Sequence, residues 1–573
     1  MRTYLHSSRL TIALSTALLL CISGCGDGGE MGASAPDDGE ETNNAVNNAD
    51  APGDEAGNDF DPGMNNQDGE PEEPEEEDFL IEQVAATDAY VFVPNQTEGS
   101  ETVALIDGRS FSVEPITVGL EPARVQAADV DDQGAVGYVL SRGDATVSVI
   151  RADLEDGRGA SDVQIRSVPA EVNDVTLAPD GEHLLAYIDP DEPINVSSSA
   201  ASLQTMALLR LGNEPTADQV FQLSVTPYID DIVFAEDGEQ AFIVGAEGIH
   251  RLWLDTVKGD MVVPRLDLDD LTVDMDADDR EVVVSSDGLL MAIRDGETSA
   301  LDLLELSDED ADVVRHRTVS IDGPATDIEL IEDGDDRQLV AAIRSQEQVV
   351  TLDIDAALDA EDGDDSYRDI IDASGADVGI GRWTPDQSAM AVFSTVPERP
   401  RVGLVDMATG AVDVRRLRNQ IRTLELSPDS RTAVAVHRRQ EGSHNLNDPE
   451  EVFRHSEGLT IWDLETGYLR PVKLHGYPEQ VIMVSDSDER AYLYVMLVPS
   501  DLSGATDQGI LRIDLSTHAT HFSPLPRLPN RLGAVADQVF VGQDQESGRI
   551  TFFNVDDGSQ RTVSGYELNS RIQ

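Results

Sequence analysis

The sequence predicts an all-β fold in which one four-stranded unit is repeated around a ring, and three observations carry that expectation. Short runs rich in Val, Ile, Leu and Thr alternate with turns of Pro, Asp, Ser and Gly through the body of the chain, the composition of strands and tight turns. The runs recur at a regular spacing. Helical signals are nearly absent: the most helix-like stretch, Leu301 to Val314, reads equally well as a strand followed by an acidic loop.

The clearest unit spans Ile421 to Val472. A strand from Thr423 to Leu426 meets a turn at Pro428-Asp429-Ser430, and a second strand runs from Thr432 to His437. After a polar insertion, a third strand (Leu459 to Trp462) is joined to a fourth (Tyr468 to Val472) by Asp463-Leu464-Glu465-Thr466-Gly467. Four antiparallel strands in one such unit make a blade of a β-propeller. The first half recurs in VTLAPDGEHLLAYI, IVFAEDGEQAFIVG, VVVSSDGLLMAIR and GRWTPDQSAMAVFS, and more weakly in AADVDDQGAVGYVL, IELIEDGDDRQLVAAI, IMVSDSDERAYLYV and LGAVADQVFVG.

Aligning the turn acids gives Asp132, Asp180, Asp237, Asp287, Asp335, Asp386, Asp429, Asp488 and Asp537, in steps of 43 to 59 residues, with Asp88 as a tenth anchor. That period is well above the roughly 20 to 29 of leucine-rich repeats. The second half recurs in VALIDGRS, VGLVDMATGAVDV, ILRIDLSTHATHF and ITFFNVDDGSQRTV, each with Asp or Asn closing an apolar strand. An Asp side chain bonds a turn's backbone N–H groups, and Gly supplies positive φ at no steric cost. The expectation is a single β-propeller over residues 79–573, of about eight to ten four-stranded blades. Pairing of the strand near Val91 with the C-terminal unit would close the ring.

These S-P-D-G-type turns and the Trp462-Asp463 dipeptide resemble the WD40 and YVTN-type propeller superfamily across the whole body. The resemblance implies a central channel with binding surfaces on its rims, and it identifies an architecture rather than an activity.

The N-terminus is built differently. Arg2 and Arg9 precede an apolar run from Leu10 to Ile22, followed by Ser23-Gly24-Cys25, the layout of a signal peptide with too short a run for an ordinary spanning helix. Ile22-Ser23-Gly24-Cys25 resembles the bacterial lipobox, which implies cleavage after residue 24, lipidation of Cys25 and anchorage in the cell envelope. Gly26, where Asp would favour inner-membrane retention, points to the outer membrane; which face the body occupies is left open. Cys21 and Cys25 are the two cysteines of the chain, so the mature body has no disulfide or thiolate chemistry.

Residues 26–78 hold 19 Asp or Glu and no Lys or Arg. Low hydrophobicity with one-signed charge reads as a disordered, self-repelling linker, giving residues 25–78 as lipidated Cys plus tether. Beyond it, 93 acidic residues face 37 basic ones, of which only Lys258 and Lys473 are lysines. Such surfaces resemble those of proteins from saline habitats, where salt screens the repulsion. They disfavour nucleic acid as a partner, because no basic patch is available to displace its counterions.

Several stretches invite chemistry. The insertion of residues 438–458, RRQEGSHNLNDPEEVFRHSEG, concentrates Arg438, Arg439, His444, Arg454 and His455 in a base-poor chain. A loop on a rigid scaffold is a natural place to contact a ligand or partner, although its arginines also serve simply to neutralise nearby acids. The stretch Asp129-Val130-Asp131-Asp132-Gln133-Gly134 places oxygen ligands at alternating positions as calcium loops do, as do Asp274, Asp276 and Asp278, but Leu140 and Ser285 stand where a twelve-residue calcium loop needs Glu. The acids from Asp359 to Asp365 read as a solvated loop. Asp406 to Gly410 and Asp463 to Gly467 resemble part of the tryptophan-docking motif of quinoprotein dehydrogenases, with Val414 and Pro471 in place of its Trp; a hairpin turn accounts for both.

No G-x-S-x-G, P-loop or H-E-x-x-H motif is present, and no catalytic residue is assigned. His437 and the three tryptophans read as packing residues. The expected function is a lipid-anchored envelope protein whose propeller binds or scaffolds protein, peptide or envelope polymer without catalysis. The alternative is a lactonase- or hydrolase-like enzyme working at the channel with a bound divalent metal.

Overall fold

The computed structural model describes residues 84–564 except 132, 154–158, 190–202, 246, 269–270, 274–279, 335, 362, 397–399, 443–444, 446, 501–504 and 544–547. The signal peptide, Cys25 and the acidic linker lie outside the described residues.

The chain folds into ten sheets, the main strands of each drawn from one continuous segment: residues 85–117, 122–167, 174–225, 229–253, 281–320, 327–372, 380–416, 420–473, 477–524 and 529–564, here blades 1 to 10; blade 3 also takes a short fifth strand, Met261–Val262, parallel to its fourth, from beyond blade 4. Within a blade the four strands pair antiparallel in chain order. Blade 4 is the exception, with three strands plus an isolated bridge between His250 and Arg265 in the fourth position. The eight anchor positions among the described residues, Asp88 included, fall in the turn between first and second strands, while Asp132 and Asp335 lie outside the described residues.

The turns form for local reasons. Asp180 Oδ1 accepts from the Glu182 and His183 N–H groups, Asp237 Oδ1 from Glu239, Asp386 Oδ1 from Ser388, and Asp429 Oδ1 from Arg431. In blade 9 the bonding falls to Asp486, which accepts from Asp488 and Arg490, rather than to Asp488 itself. The third-to-fourth-strand turns repeat the device: Asp406 Oδ1 accepts from Thr409, and Asp463 Oδ1 from Thr466, with Gly410 and Gly467 at positive φ. Both stretches that resemble docking motifs are therefore hairpin turns. Leu301 to Val314 contains strand Ala300–Leu306, an acidic turn and the start of strand Val313–Ser320.

The core lies between blades. Ten separate apolar clusters fill the ten junctions, each drawing residues from two neighbours. Second strands are therefore covered on both faces. In Ala491–Val498, Leu493, Val495 and Leu497 pack toward blade 8, while Tyr492, Tyr494 and Met496 pack toward blade 10. Burial on two sides is why these strands read as continuous apolar runs rather than alternating ones.

Closure differs from the expected strand exchange. The strand containing Val91, Tyr90–Pro94, pairs with Ala85–Ala86 and Thr102–Asp107, both in its own blade. Blade 1 meets blade 10 through packing of Val91, Val93 and Ile106 on Val535, Phe540, Ile550 and Phe552, and through an Ala536 N–H bond to the Asp88 carbonyl (2.7 Å). Blades 1 and 10 each already hold four strands of their own, so none is shared between them.

Candidate functional site

Antiparallel blades give the ring two unlike faces. Turns between strands one and two, and between three and four, lie at one end of every blade; the remaining connections lie at the other. The described anchor aspartates thus share one face, joined by Asp107, Asp406, Asp463 and Asp514 from the second set of turns. The opposite face carries the blade 8 insertion.

The channel wall is formed by the first strands, which touch one another at most junctions. One edge of each pairs with the second strand, and the other turns its backbone groups toward the axis. Polar side chains from the neighbouring blade satisfy part of that open edge. Glu281 Oε2 accepts the Ile328 N–H (3.1 Å), Asp327 Oδ2 the Gly381 N–H (2.6 Å), and Gln480 Oε1 the Leu532 N–H (2.8 Å). Arg422 donates to the Pro478 carbonyl.

This arrangement gathers Glu281, Asp327, Glu329, Arg382 and Glu425 on successive inner strands of blades 5 to 8. Glu329 Oε1 lies 3.9 Å from Arg382 Nη1, and the arginine side chain is 51% exposed. Burial, then the charges of Asp327 and Glu281, push the Glu329 carboxyl up to about 8, with Arg382 pulling the other way. Burial and Glu281 push Asp327 up to about 6 against the Gly381 N–H, Arg382 and Arg294. Burial raises Glu425 despite Arg382. A carboxyl raised as far as that of Glu329 keeps a proton near neutrality and can donate as well as accept, the property used by general acids.

The insertion is a folded flap. Asp448 caps the short helix Pro449–Arg454 by accepting from the Glu450 N–H (2.9 Å), and Phe453 is buried edge-on against His437 at 5.7 Å. Arg439 lies 3.6 Å from the buried Glu457, Arg454 pairs with Glu450, and His455 Nδ1 meets the Glu451 carbonyl at 2.9 Å. Arg438 ends its strand exposed. His444 lies outside the described residues. Of the five candidates, then, three are engaged locally and Arg438 faces solvent.

His437 is a packing residue: Nδ1 meets the Gln420 carbonyl, Nε2 meets the Thr460 hydroxyl, and burial pulls it down to about 4. Trp462 is core, whereas Trp253 and Trp383 are half-buried. Among the calcium candidates, Asp129 accepts the Asp88 N–H (2.7 Å) and Asp359 pairs with Arg315, while Asp132 and the 274–279 loop lie outside the described residues. Among the described residues no three His, Cys, Asp or Glu side chains gather as a metal-ligand set.

The five channel residues were not legible as a group. Their only sequence trace is the alternation of acids in DIELIED, Asp327 to Asp333, on one inner strand.

A ring of ten such blades defines a β-propeller protein. The chain matches no family model and no curated protein sequence. Among solved structures it is similar to a eukaryotic initiation factor (11% identity, 82% of this chain and 94% of that one, TM-score 0.43). It is also similar to the Dos1 propeller (11%, 64% and 88%, 0.40) and to the dihydro-heme d1 dehydrogenase NirN (12%, 76% and 74%, 0.40). At that level of identity and superposition none of these informs function.

Proposed function

We propose that the propeller is a non-catalytic binding or scaffolding surface for protein, peptide or envelope polymer. It is carried at the cell envelope, outer membrane rather than inner, on a lipid attached to Cys25. The observation that carries the binding reading is the contrast between faces. Acid-tipped turns crowd one, and on the other a flap pinned by Phe453 holds its own bases in local pairs and leaves Arg438 exposed. A preformed projection on a rigid ring suits recognition, because little ordering entropy remains to be lost on binding. The anchor rests on the sequence at Ile22 to Cys25.

Two experiments test this. Cys25→Ala should abolish metabolic labelling with a fatty-acid probe and release the protein from the membrane fraction; labelling that persists refutes the anchor. The intact body should co-sediment with purified envelope polymer, and replacing residues 439–457 by a short turn should remove that binding while leaving the far-ultraviolet dichroism unchanged. Unaltered co-sedimentation refutes the role of the flap.

The enzymatic reading is favoured by one observation, the upward shift of Glu329 and Asp327. It requires turnover of ester or lactone substrates, with or without added divalent metal, that is lost in Glu329→Gln. No turnover is expected.

A further inference from the structure

Acids outnumber bases by 112 to 39 in this chain, so an arginine near the surface has many carboxylates to meet. Many arginines do meet one: Arg151 pairs with Asp218, Arg280 with Asp230, Arg315 with Asp359 and Arg337 with Asp355. Four on the face that carries the flap do not. Arg401, Arg416, Arg418 and Arg438 are exposed, and among the described residues none of them has a carboxylate partner.

The four lie together where blade 7 meets blade 8. Arg401 opens the third strand of blade 7 and Arg416 closes the fourth, and the register sets them directly opposite each other. Like charges in that relation are destabilising. Arg401 also donates to the Gly375 carbonyl (3.2 Å), a neutral acceptor. Arg418 stands in the short connection that follows, and Arg438 ends a strand opposite Gln420, two residues further on. The flap backs this line. Arg454 Nε donates to the Arg418 carbonyl (3.2 Å), and the Arg454 carbonyl accepts from the Asn419 amide (2.9 Å) and the Gln440 N–H (2.8 Å). The base-poor composition does not show such a patch, because its members meet only through strand pairing and the connection between blades.

Two opposed guanidinium groups without a counter-charge, in a chain so rich in acids, are an arrangement that folding alone does not favour. A bound anion relieves it, and guanidinium groups fork onto carboxylates in a fixed geometry. Acids farther off than about 8 Å are largely screened at physiological salt, so the local sign of the patch decides what settles on it. The patch is a line rather than a point. Neighbouring strands lie about 4.8 Å apart, close to the length of one pyranose, which suits a chain that carries a charge on each sugar. Protein interfaces centre on apolar or aromatic anchors, whereas the centre here is charge. The flap's one phenyl ring, Phe453, is buried and gives a nucleobase no platform to stack on.

We propose that the junction of blades 7 and 8 is a docking track for a carboxylated polysaccharide, one bearing a carboxylate on each sugar. The inference rests on the binding reading above and names the chemistry of its polymer. Arg401 and Arg416 share one carboxylate, which removes their mutual repulsion, and Arg418 and Arg438 take those that follow along the polymer.

The test is fluorescence anisotropy of labelled polygalacturonate oligomers with the whole chain at about 0.15 M salt, beside labelled dextran as a neutral polymer and oligothymidylate as a nucleic acid. Polygalacturonate should bind and the other two should not. Arg416→Gln combined with Arg438→Gln should weaken binding at least about tenfold. Arg109→Gln combined with Arg431→Gln makes the same change in net charge on the opposite face, at two exposed positions, and should shift it less than about twofold. Arg416→Gln alone should unfold at the same or a higher temperature than the parent, because it removes the opposed charge; a lower temperature would make Arg416 a structural residue and overturn its role. Absence of polygalacturonate binding, an unchanged affinity in the Arg416 and Arg438 variant, or an equal loss in the opposite-face variant overturns the track. Tighter binding of oligothymidylate overturns it in favour of nucleic acid. Dextran bound as tightly as polygalacturonate overturns the charge chemistry and leaves the polymer reading standing; that reading falls separately, if the co-sedimentation described above is not seen.

Discussion

At the scale of single residues, burial acts on a histidine and a carboxyl with opposite sign, and His437 shows the first case. Its ring is held neutral, pulled down to about 4 by desolvation against bonds from the Gln420 and Asn419 backbone. The unfolded chain takes up a proton near pH 6.5 while the folded one does not, so this contribution is intact above that value and is lost as pH falls toward 4. The urea midpoint, followed by tryptophan emission, should therefore drop between pH 6.5 and 4.5 by the equivalent of roughly 2 kcal/mol. His437→Gln should flatten that fall; an unchanged slope would assign it to other groups. Backbone conformation gives a second test. The position after the turn Asp is Gly in blades 3, 4 and 5 (Gly181, Gly238, Gly288), but Gln387 and Ser430 adopt the same left-handed φ, at 56° and 58°. Gln387→Gly should stabilise by up to about 1 kcal/mol, because a β-carbon is strained there. Ser430→Gly should gain less, since the Ser430 hydroxyl accepts the Asp386 N–H across the blade junction.

At the scale of strands and blades, the inner edge between blades 5 and 8 has the opposite pH signature. Glu329 is raised to about 8 and Asp327 to about 6, so their contributions are fullest below the unfolded carboxyl range and erode as pH climbs from about 4.5 through 8. Glu329→Gln mimics the protonated form. It should match the unaltered protein at pH 4.5 and exceed its unfolding temperature at pH 9; equal temperatures at both values would show that the carboxyl is solvated rather than perturbed. Blade architecture was readable in the chain because its determinants are local: Asp180 bonds the N–H groups of Glu182 and His183, two and three residues on. The channel cluster was not, because Glu281 meets Ile328 and Asp327 meets Gly381 across whole blades, 47 and 54 residues apart. Only the three-dimensional stacking of inner strands brings them together. The flap at 438–458 falls between these cases. Its place between the second and third strands is visible in the sequence, whereas burial of Phe453 on His437 and the pairing of Arg439 with Glu457 are tertiary.

At the scale of the ring, closure by packing has a consequence that strand exchange would forbid. In a ring closed by a shared strand, the terminal blade is composite, and cutting the chain elsewhere leaves that blade to be assembled from distant ends. Here every blade but blade 3, which takes Met261–Val262 from just after blade 4, is one continuous segment, and the junction between blades 10 and 1 is filled like the other nine, by apolar side chains from two neighbours. The fourth strand of blade 10 ends at Ser564, and blade 1 begins at Ala85. Elsewhere the same fourth-to-first connection is as short as residues 417–419. A chain that joins Ser564 to Ala85 through a similar link and opens between the exposed Arg527 and Leu528 should therefore keep all ten blades. The permutant should retain the far-ultraviolet spectrum and unfold within a few degrees of the parent, since no ladder hydrogen bond is cut and only the order of otherwise equivalent junctions changes. A large loss of strand signal would mean that the junction at Val91 and Phe552 differs from the rest, and that the order of the blades along the chain, not their packing alone, holds the ring shut.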